Sequence, residues 1–148
     1  MDKVDYLKNI LNENNVNYEI IKHDKPILAT KDAKGYFDVL KSAPVIILLT
    51  EKGLVAYIKS VTNGKINFSI IKEAISCNNV EMADKNIIFD KTGFTIGSIP
   101  LVGTSLSCIF DKKLLEFDYA YGGTGDPNYT LKIAPTDIIR LNNIIAIV

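Results

Sequence analysis

Glycine residues in unusual surroundings form the most distinctive part of the sequence. Between Thr92 and Gly103, three glycines and Pro100 stand among apolar and small polar residues, without one charged side chain. Glycine permits close backbone approach and positive φ, whereas proline removes an N–H donor and stiffens the chain. A second glycine segment, Gly122-Gly123-Thr124-Gly125, follows later. Together the two segments predict a pocket walled largely by backbone groups.

Lys41 is the cation with the most interesting position. It comes just before the apolar run Pro44–Thr50, where a lysine could reach over the edge of a sheet into a pocket. A cation near a site of low dielectric constant can hold a phosphate or polarise a carbonyl. The alternative is a solvated lysine at the start of a strand, and periodicity alone favours that alternative.

His23 is the only histidine, and this limits the catalytic options. A classical zinc site is not expected with one histidine and no paired cysteines, and catalysis by a Cys-His or Ser-His pair would have to use His23. The simpler interpretation is a surface histidine after an early strand. Neither glycine segment matches a P-loop or the dinucleotide-binding fingerprint.

The segment Asp118–Tyr129 mixes aromatic, polar and glycine residues. Such a mixture suits polar recognition of a small group, and a plain polar loop is an equally good interpretation of the composition. The residues concerned are Tyr119, Tyr121, Asp126, Asn128 and Tyr129.

Composition indicates one domain, residues 1–148, with a substantial core. Hydrophobic residues make up 47% of the 148 residues, which argues against disorder. Seventeen basic and 17 acidic residues give no net charge, which argues against wrapping of long nucleic acid. A partner touched at one end is compatible with this balance.

The expected location is the cytoplasm, without a membrane partner. No apolar run reaches the length of a membrane span, and the N-terminal residues lack the apolar core of a signal peptide. Cys77 and Cys108 could pair, but two buried thiols are the favoured interpretation in a reducing compartment. We expect neither a metal nor another cofactor.

Hydrophobic periodicity predicts a mixture of helices and hairpins. This mixture favours an α/β or α+β fold with a mixed sheet over a doubly wound parallel sheet. The predicted helices cover residues 4–14, 31–34, 69–76, 85–91 and 135–141. The predicted strands cover residues 18–22, 44–50, 54–61, 80–82, 107–111, 114–117, 119–121, 129–133 and 144–148.

Six short segments occur in an order that is fairly specific. They are the strand Tyr18–His23, the pair Lys41-Ser42 before Val45–Leu48, the returning strand Leu54–Ile58, the segment Val80–Asp84, Thr92-Gly93-Phe94 with Gly97 and Gly103, and Gly122-Gly123 with Leu131–Ile138. In this order the chain resembles the YbaK-like aminoacyl-tRNA deacylase family. That family includes Cys-tRNA(Pro) and Ala-tRNA(Pro) deacylases and the editing insertion domain of prolyl-tRNA synthetases. The resemblance implies a single domain with a mixed, curved, barrel-like β-sheet flanked by helices.

The resemblance also implies a set of site residues. Lys41 takes the position of the family's central lysine, which is expected to hold the 3′-terminal nucleotide or the ester carbonyl. Ser42 keeps a hydroxyl where the family has threonine. The remaining implied substrate-binding residues are Gly97, Ser98, Ile99, Pro100 and Gly103 in the glycine-proline loop, Gly122 and Gly123 as a pocket wall, and Asn128 and Thr130 near the residues that choose the amino acid.

The implied activity is hydrolysis of the ester of a mischarged aminoacyl-tRNA, with a small amino acid on tRNA(Pro) as substrate. An aminoacyl ester is already activated, so positioning a water and stabilising the oxyanion could suffice without metal. The tRNA acceptor end is the expected partner, and an aminoacyl-tRNA synthetase is a further candidate.

Two alternatives remain open. The family pattern is broken at Pro44 and at Leu101, which replaces a loop proline. These departures suggest the hypothesis that the chain is a non-catalytic relative, which binds an aminoacyl or nucleotide ligand. A generic esterase that uses His23 is the other alternative. The sequence does not indicate the oligomeric state.

Overall fold

A computed structural model describes residues 2–148. In this part of the chain the α-helices are α1 Lys3–Glu13, α2 Phe68–Ile75, α3 Lys85–Thr92 and α4 Pro135–Leu141. The strands are β1 Tyr18–Lys22, β2 Val45–Thr50, β3 Gly53–Ile58, β4 Val80–Met82, β5 Ser107–Phe110, β6 Ala120–Gly123, β7 Tyr129–Ile133 and β8 Asn143–Ile147. Short 3₁₀ helices cover Thr30–Ala33, Val39–Lys41 and Lys112–Glu116. The mixed α/β class predicted from the sequence is confirmed.

The larger sheet has five strands in the order β4-β2-β3-β5-β8. Its centre is the antiparallel hairpin of β2 and β3, in which Ile47 pairs with Ala56. Strand β5 runs parallel to β3 on one side and to β8 on the other. Parallel neighbours require crossovers, and these contain α2, α3 and α4.

Both faces of the five-stranded sheet are covered. Ile47 and Ala56 face the main core with α1 and the smaller sheet, whereas Leu48 and Val55 pack in a second cluster with Ile71 of α2. A strand buried on both faces needs apolar residues at every position. This explains the continuous apolar run of β2.

The smaller sheet is antiparallel, with the order β1-β7-β6. Isolated bridges join Ser42 to Tyr121 and Pro100 to Gly123, so two connecting segments lie against β6. The segments around Lys41 and Pro100, which the sequence analysis identifies as candidate site segments, therefore both contact strand β6.

Three expectations about the fold need correction. The two sheets do not close into a barrel, because among residues 2–148 the strands form two separate sheets, and the isolated bridges of β6 reach only Ser42 and Pro100, which belong to neither sheet. Residues 114–117 form no strand but lie in and after a 3₁₀ helix, which Asp111 starts by accepting the N–H of Lys113 at 2.9 Å. The strand predicted over residues 119–121 is instead Ala120–Gly123 and includes the glycine pair.

Candidate functional site

A cavity of about 210 Å³ lies beside β6 and β7. Its walls come from residues 27–30 after β1, from Ser42 and the start of β2, and from residues 96–99 of the glycine-proline loop. Most of the lining is apolar. Phe37 and Tyr121 line one side and stack with their ring centroids 4.6 Å apart. The volume suits a small group.

The glycines let backbone form the cavity wall. Gly97 has a φ of 94°, and a Cβ atom there would collide with the carbonyl of Leu28. A Cβ at Gly123 would collide with the carbonyl of Ile99. A hydrogen bond fixes the approach of Gly123 to the glycine-proline loop: the N–H of Leu101 donates to the Gly123 carbonyl at 3.1 Å. Backbone segments therefore meet closely at two of the glycines that line the cavity.

Ser42 contributes an unsatisfied hydroxyl to the wall. Its carbonyl accepts the N–H of Val61 at 3.1 Å, and the next N–H, of Ala43, donates to the Tyr121 carbonyl at 2.8 Å. These bonds hold the segment against β6. The Oγ atom of Ser42 is buried and has no hydrogen-bond partner among the described residues. An unpaired buried hydroxyl costs free energy, so it needs an explanation.

Lys41 lies beside the cavity wall rather than in it. It ends the 3₁₀ helix Val39–Lys41, and its Nζ donates to Oδ1 of Asp118 at 2.8 Å. This hydrogen bond raises the pKa of Lys41 above its ordinary value and lowers the pKa of Asp118. Lys41 does not line the cavity, although Ser42 directly after it does.

His23 is buried, which corrects the expectation of a surface histidine. Only 3% of the residue is exposed. Its Nδ1 lies 2.9 Å from the Lys25 carbonyl, and its Nε2 lies 3.0 Å from Oγ1 of Thr130. The ring also packs against Tyr36, with the centroids 5.0 Å apart. No local signal indicates this burial, because the partner hydroxyl is 107 residues away in sequence.

The structure brings most of the predicted site residues to one cavity. Those that line it are Ser42, Gly97, Ser98, Ile99, Gly122, Gly123 and Thr130. Those that do not are Lys41, Pro100, Gly103 and Asn128. Pro100 and Gly103 line a second cavity of about 230 Å³ on the α1 side of the loop.

Some residues that line the cavity could not be predicted from the sequence. Leu28 and Phe37 lie in irregular segments where apolar periodicity says nothing, and only the fold places them at the cavity. Among residues 2–148, no group of three or more His, Cys, Asp or Glu side chains is arranged to hold a metal ion. In the same range, no helix is both long and apolar enough to cross a membrane.

Comparison with known proteins identifies the family. Residues 28–141 match the aminoacyl-tRNA editing domain family. The chain therefore belongs to that family, and its membership supports aminoacyl-tRNA editing in general.

Solved structures share the fold. One is the crystal structure of a "putative trans-editing enzyme for prolyl tRNA synthetase", with a TM-score of 0.85 and 18% identity over 100% of this chain and 96% of that one. Another is a hypothetical protein with a TM-score of 0.84 and 20% identity over 99% and 96% of the two chains. At such identities the likeness is one of fold.

Proposed function

We propose that this protein is a trans-editing hydrolase that cleaves the ester of a mischarged aminoacyl-tRNA, carrying a small amino acid on tRNA(Pro). The observation that carries the proposal is the cavity of about 210 Å³ with backbone walls and the unpaired hydroxyl of Ser42, in a chain of the editing family. The likeness to a trans-editing enzyme for prolyl tRNA synthetase supports tRNA(Pro) as the carrier.

The cavity is suited to the acyl group of a small amino acid. A water molecule adds across the ester bond, so the amino acid leaves as a free acid and the terminal ribose regains its hydroxyl. We propose that backbone N–H groups of the glycine-proline loop, such as that of Gly97, stabilise the oxyanion of the tetrahedral intermediate. The small volume excludes large side chains, which is the logic of an editing sieve. The proposed hydrolysis uses no metal.

Lys41 is proposed to hold the terminal nucleotide of the tRNA. Its ammonium group lies outside the cavity and next to the Ser42 segment, and its raised pKa keeps it charged. A charged lysine at this position suits a phosphate better than it suits a buried acyl carbonyl. The proposed partner is thus the tRNA acceptor end, met in the cytoplasm alone or together with a synthetase.

The test is deacylation of tRNA(Pro) carrying radiolabelled Ala, Cys, Ser or Pro. We expect rapid release of at least one of the small non-cognate amino acids and little release of proline. Lys41→Ala should reduce kcat/KM by about a hundredfold or more, since a charged contact to a phosphate is lost. The matched control is Lys113→Ala, which removes another ion-paired surface lysine, whose Nζ lies 3.9 Å from Oε2 of Glu116.

Two outcomes would contradict the proposal. Full activity in Lys41→Ala would exclude the assigned role of this lysine. Tight binding of the aminoacylated acceptor end without hydrolysis of any substrate would show that the chain is a non-catalytic, ligand-binding relative of the editing domain.

A further inference from the structure

The hydrogen bonds of His23 fix the direction of a hydroxyl in the cavity wall. A backbone carbonyl can only accept, so the proton between His23 Nδ1 and the Lys25 carbonyl belongs to the ring. In the neutral ring Nε2 then carries a lone pair. With the ring neutral, the Thr130 hydroxyl, 3.0 Å away, donates its proton to that lone pair.

Thr130 therefore has only acceptor capacity left for a ligand. The residue lines the cavity and is 4% exposed, and its hydroxyl proton is already used by His23. Its oxygen lone pairs are the remaining hydrogen-bonding groups. A ligand group that meets Thr130 must accordingly be a donor.

The charge of the cavity lining also favours a ligand group that donates hydrogen bonds. Asp126 is the one charged residue that lines the cavity within residues 2–148, and no lysine, arginine or histidine lines it. One oxygen of Asp126 accepts the N–H of Asn128 at 2.9 Å, and within the described residues Asp126 forms no salt bridge. A carboxylate together with an acceptor hydroxyl favours a cationic donor such as an ammonium group and disfavours a phosphate.

We propose that the cavity recognises the protonated α-amino group of the aminoacyl moiety, with Thr130 and Asp126 as its acceptors and His23 as the positioning residue. This inference rests on the proposed function and adds the chemical feature that the cavity selects. Phosphates of the terminal nucleotide stay outside, on the side of Lys41. The role of His23 is to hold the hydroxyl of Thr130 and not to act on the ester.

The proposal is tested with two probes that cannot be hydrolysed. One is 3′-alanylamino-3′-deoxyadenosine, and the other is its propionyl counterpart, which lacks only the amino group. Titration calorimetry should show the wild-type protein binding the alanyl probe about tenfold or more tightly than the propionyl probe, as expected for charge-assisted hydrogen bonds.

Variants separate recognition of the amine from a merely structural role. Thr130→Val keeps the shape of the side chain and should bring the two affinities within about twofold of each other, through weaker binding of the alanyl probe alone. Thr130→Ser should keep the preference. His23→Phe should behave like Thr130→Val, and His23→Gln, whose amide can still accept from Thr130, should restore part of the preference. Asp126→Asn should also reduce the preference for the alanyl probe.

The outcomes that overturn the proposal are distinct from failure of the proposed function. Equal binding of the two probes, or no measurable binding of either, would overturn it. So would equal weakening of both probes in Thr130→Val and His23→Phe. If the amine preference is found but Ala-tRNA(Pro) is not hydrolysed, the inference stands and the hydrolase proposal fails.

Discussion

The Nζ atom of Lys41 lies 2.8 Å from Oδ1 of Asp118, which is 77 residues later in the chain. The carboxylate is largely exposed, at 68% of its side chain, so water screens the pair. Asp118 thus pairs with the ammonium group of Lys41, which we propose binds the terminal nucleotide. Asp118 takes one of the three donors of the ammonium group, and its charge opposes the approach of a phosphate.

Asp118→Asn should make Lys41 more available to tRNA. We expect the KM for deacylation to fall roughly two- to fivefold with little change in kcat, the range expected for loss of an exposed ion pair. The pKa of Lys41, followed by NMR, should fall towards its ordinary value because the Asp118 hydrogen bond raises it. A large loss of kcat would instead show that Asp118 holds Lys41 in its working position.

Ser42→Ala should separate stability from activity. The Oγ atom of Ser42 is buried without a partner, so its removal should leave the free energy of unfolding unchanged or raise it by up to about 1 kcal/mol. Deacylation should fall about tenfold, because the ligand loses its hydrogen bond to the wall. Chemical denaturation and the deacylation assay measure the two effects.

Ser98→Ala is the control for this substitution. Its hydroxyl also belongs to a residue of the cavity wall, but it is bonded to the Thr95 carbonyl at 3.2 Å and to the Thr95 hydroxyl at 2.9 Å. Removing it should therefore destabilise the protein by about 1 kcal/mol. If both alanine variants lose the same stability, the hydroxyl of Ser42 has a partner in solution.

The sequence predicts those elements whose pattern is local. The strand Val45–Thr50 is recognisable because burial on both faces demands a continuous apolar run, and the end of α3 at Gly93 follows from glycine's preference for left-handed caps. The adjacent leucines of the 3₁₀ helix Lys112–Glu116 predict a strand, although Asp111 before them is a capping signal.

The site depends on contacts that no local pattern carries. The pairing of His23 with Thr130 joins the end of β1 to β7 and arises only when the smaller sheet has formed. The sequence predicts Lys41 and Ser42 as a pair, yet Lys41 ends a 3₁₀ helix and Ser42 after it is extended, so the two face different surroundings. One meets Asp118 at the surface, and the other lies in the cavity wall.

Gly123→Ala should destabilise the protein more than Gly122→Ala. A Cβ at Gly123 meets the carbonyl of Ile99, which is backbone and cannot rotate away. A Cβ at Gly122 meets side-chain atoms of Leu101 at 2.5 Å, which can move by a change of rotamer. We expect a loss on the order of 2 kcal/mol or more for Gly123→Ala and a smaller one for Gly122→Ala, measured by urea denaturation. The reverse order would mean that the loop of Ile99 yields more easily than the core around Leu101.

Stability should fall at high pH because of Tyr57. Burial, reinforced by the charge of Asp111, raises the pKa of its phenol from 10.0 to about 12. The folded state then holds this proton more tightly than the unfolded state between these pH values, so unfolding releases it and becomes easier as the pH rises. The stabilisation is complete below pH 10 and is lost as the pH approaches 12. A two-unit difference corresponds to a change on the order of 3 kcal/mol.

Urea denaturation at a series of pH values should show this decline in the wild-type protein, and Tyr57→Phe should reduce its slope, since phenylalanine has no proton to lose. An identical slope in the variant would place the alkaline sensitivity at other groups, of which the buried Cys108, with its pKa raised to about 11, is the next to test by Cys108→Ala.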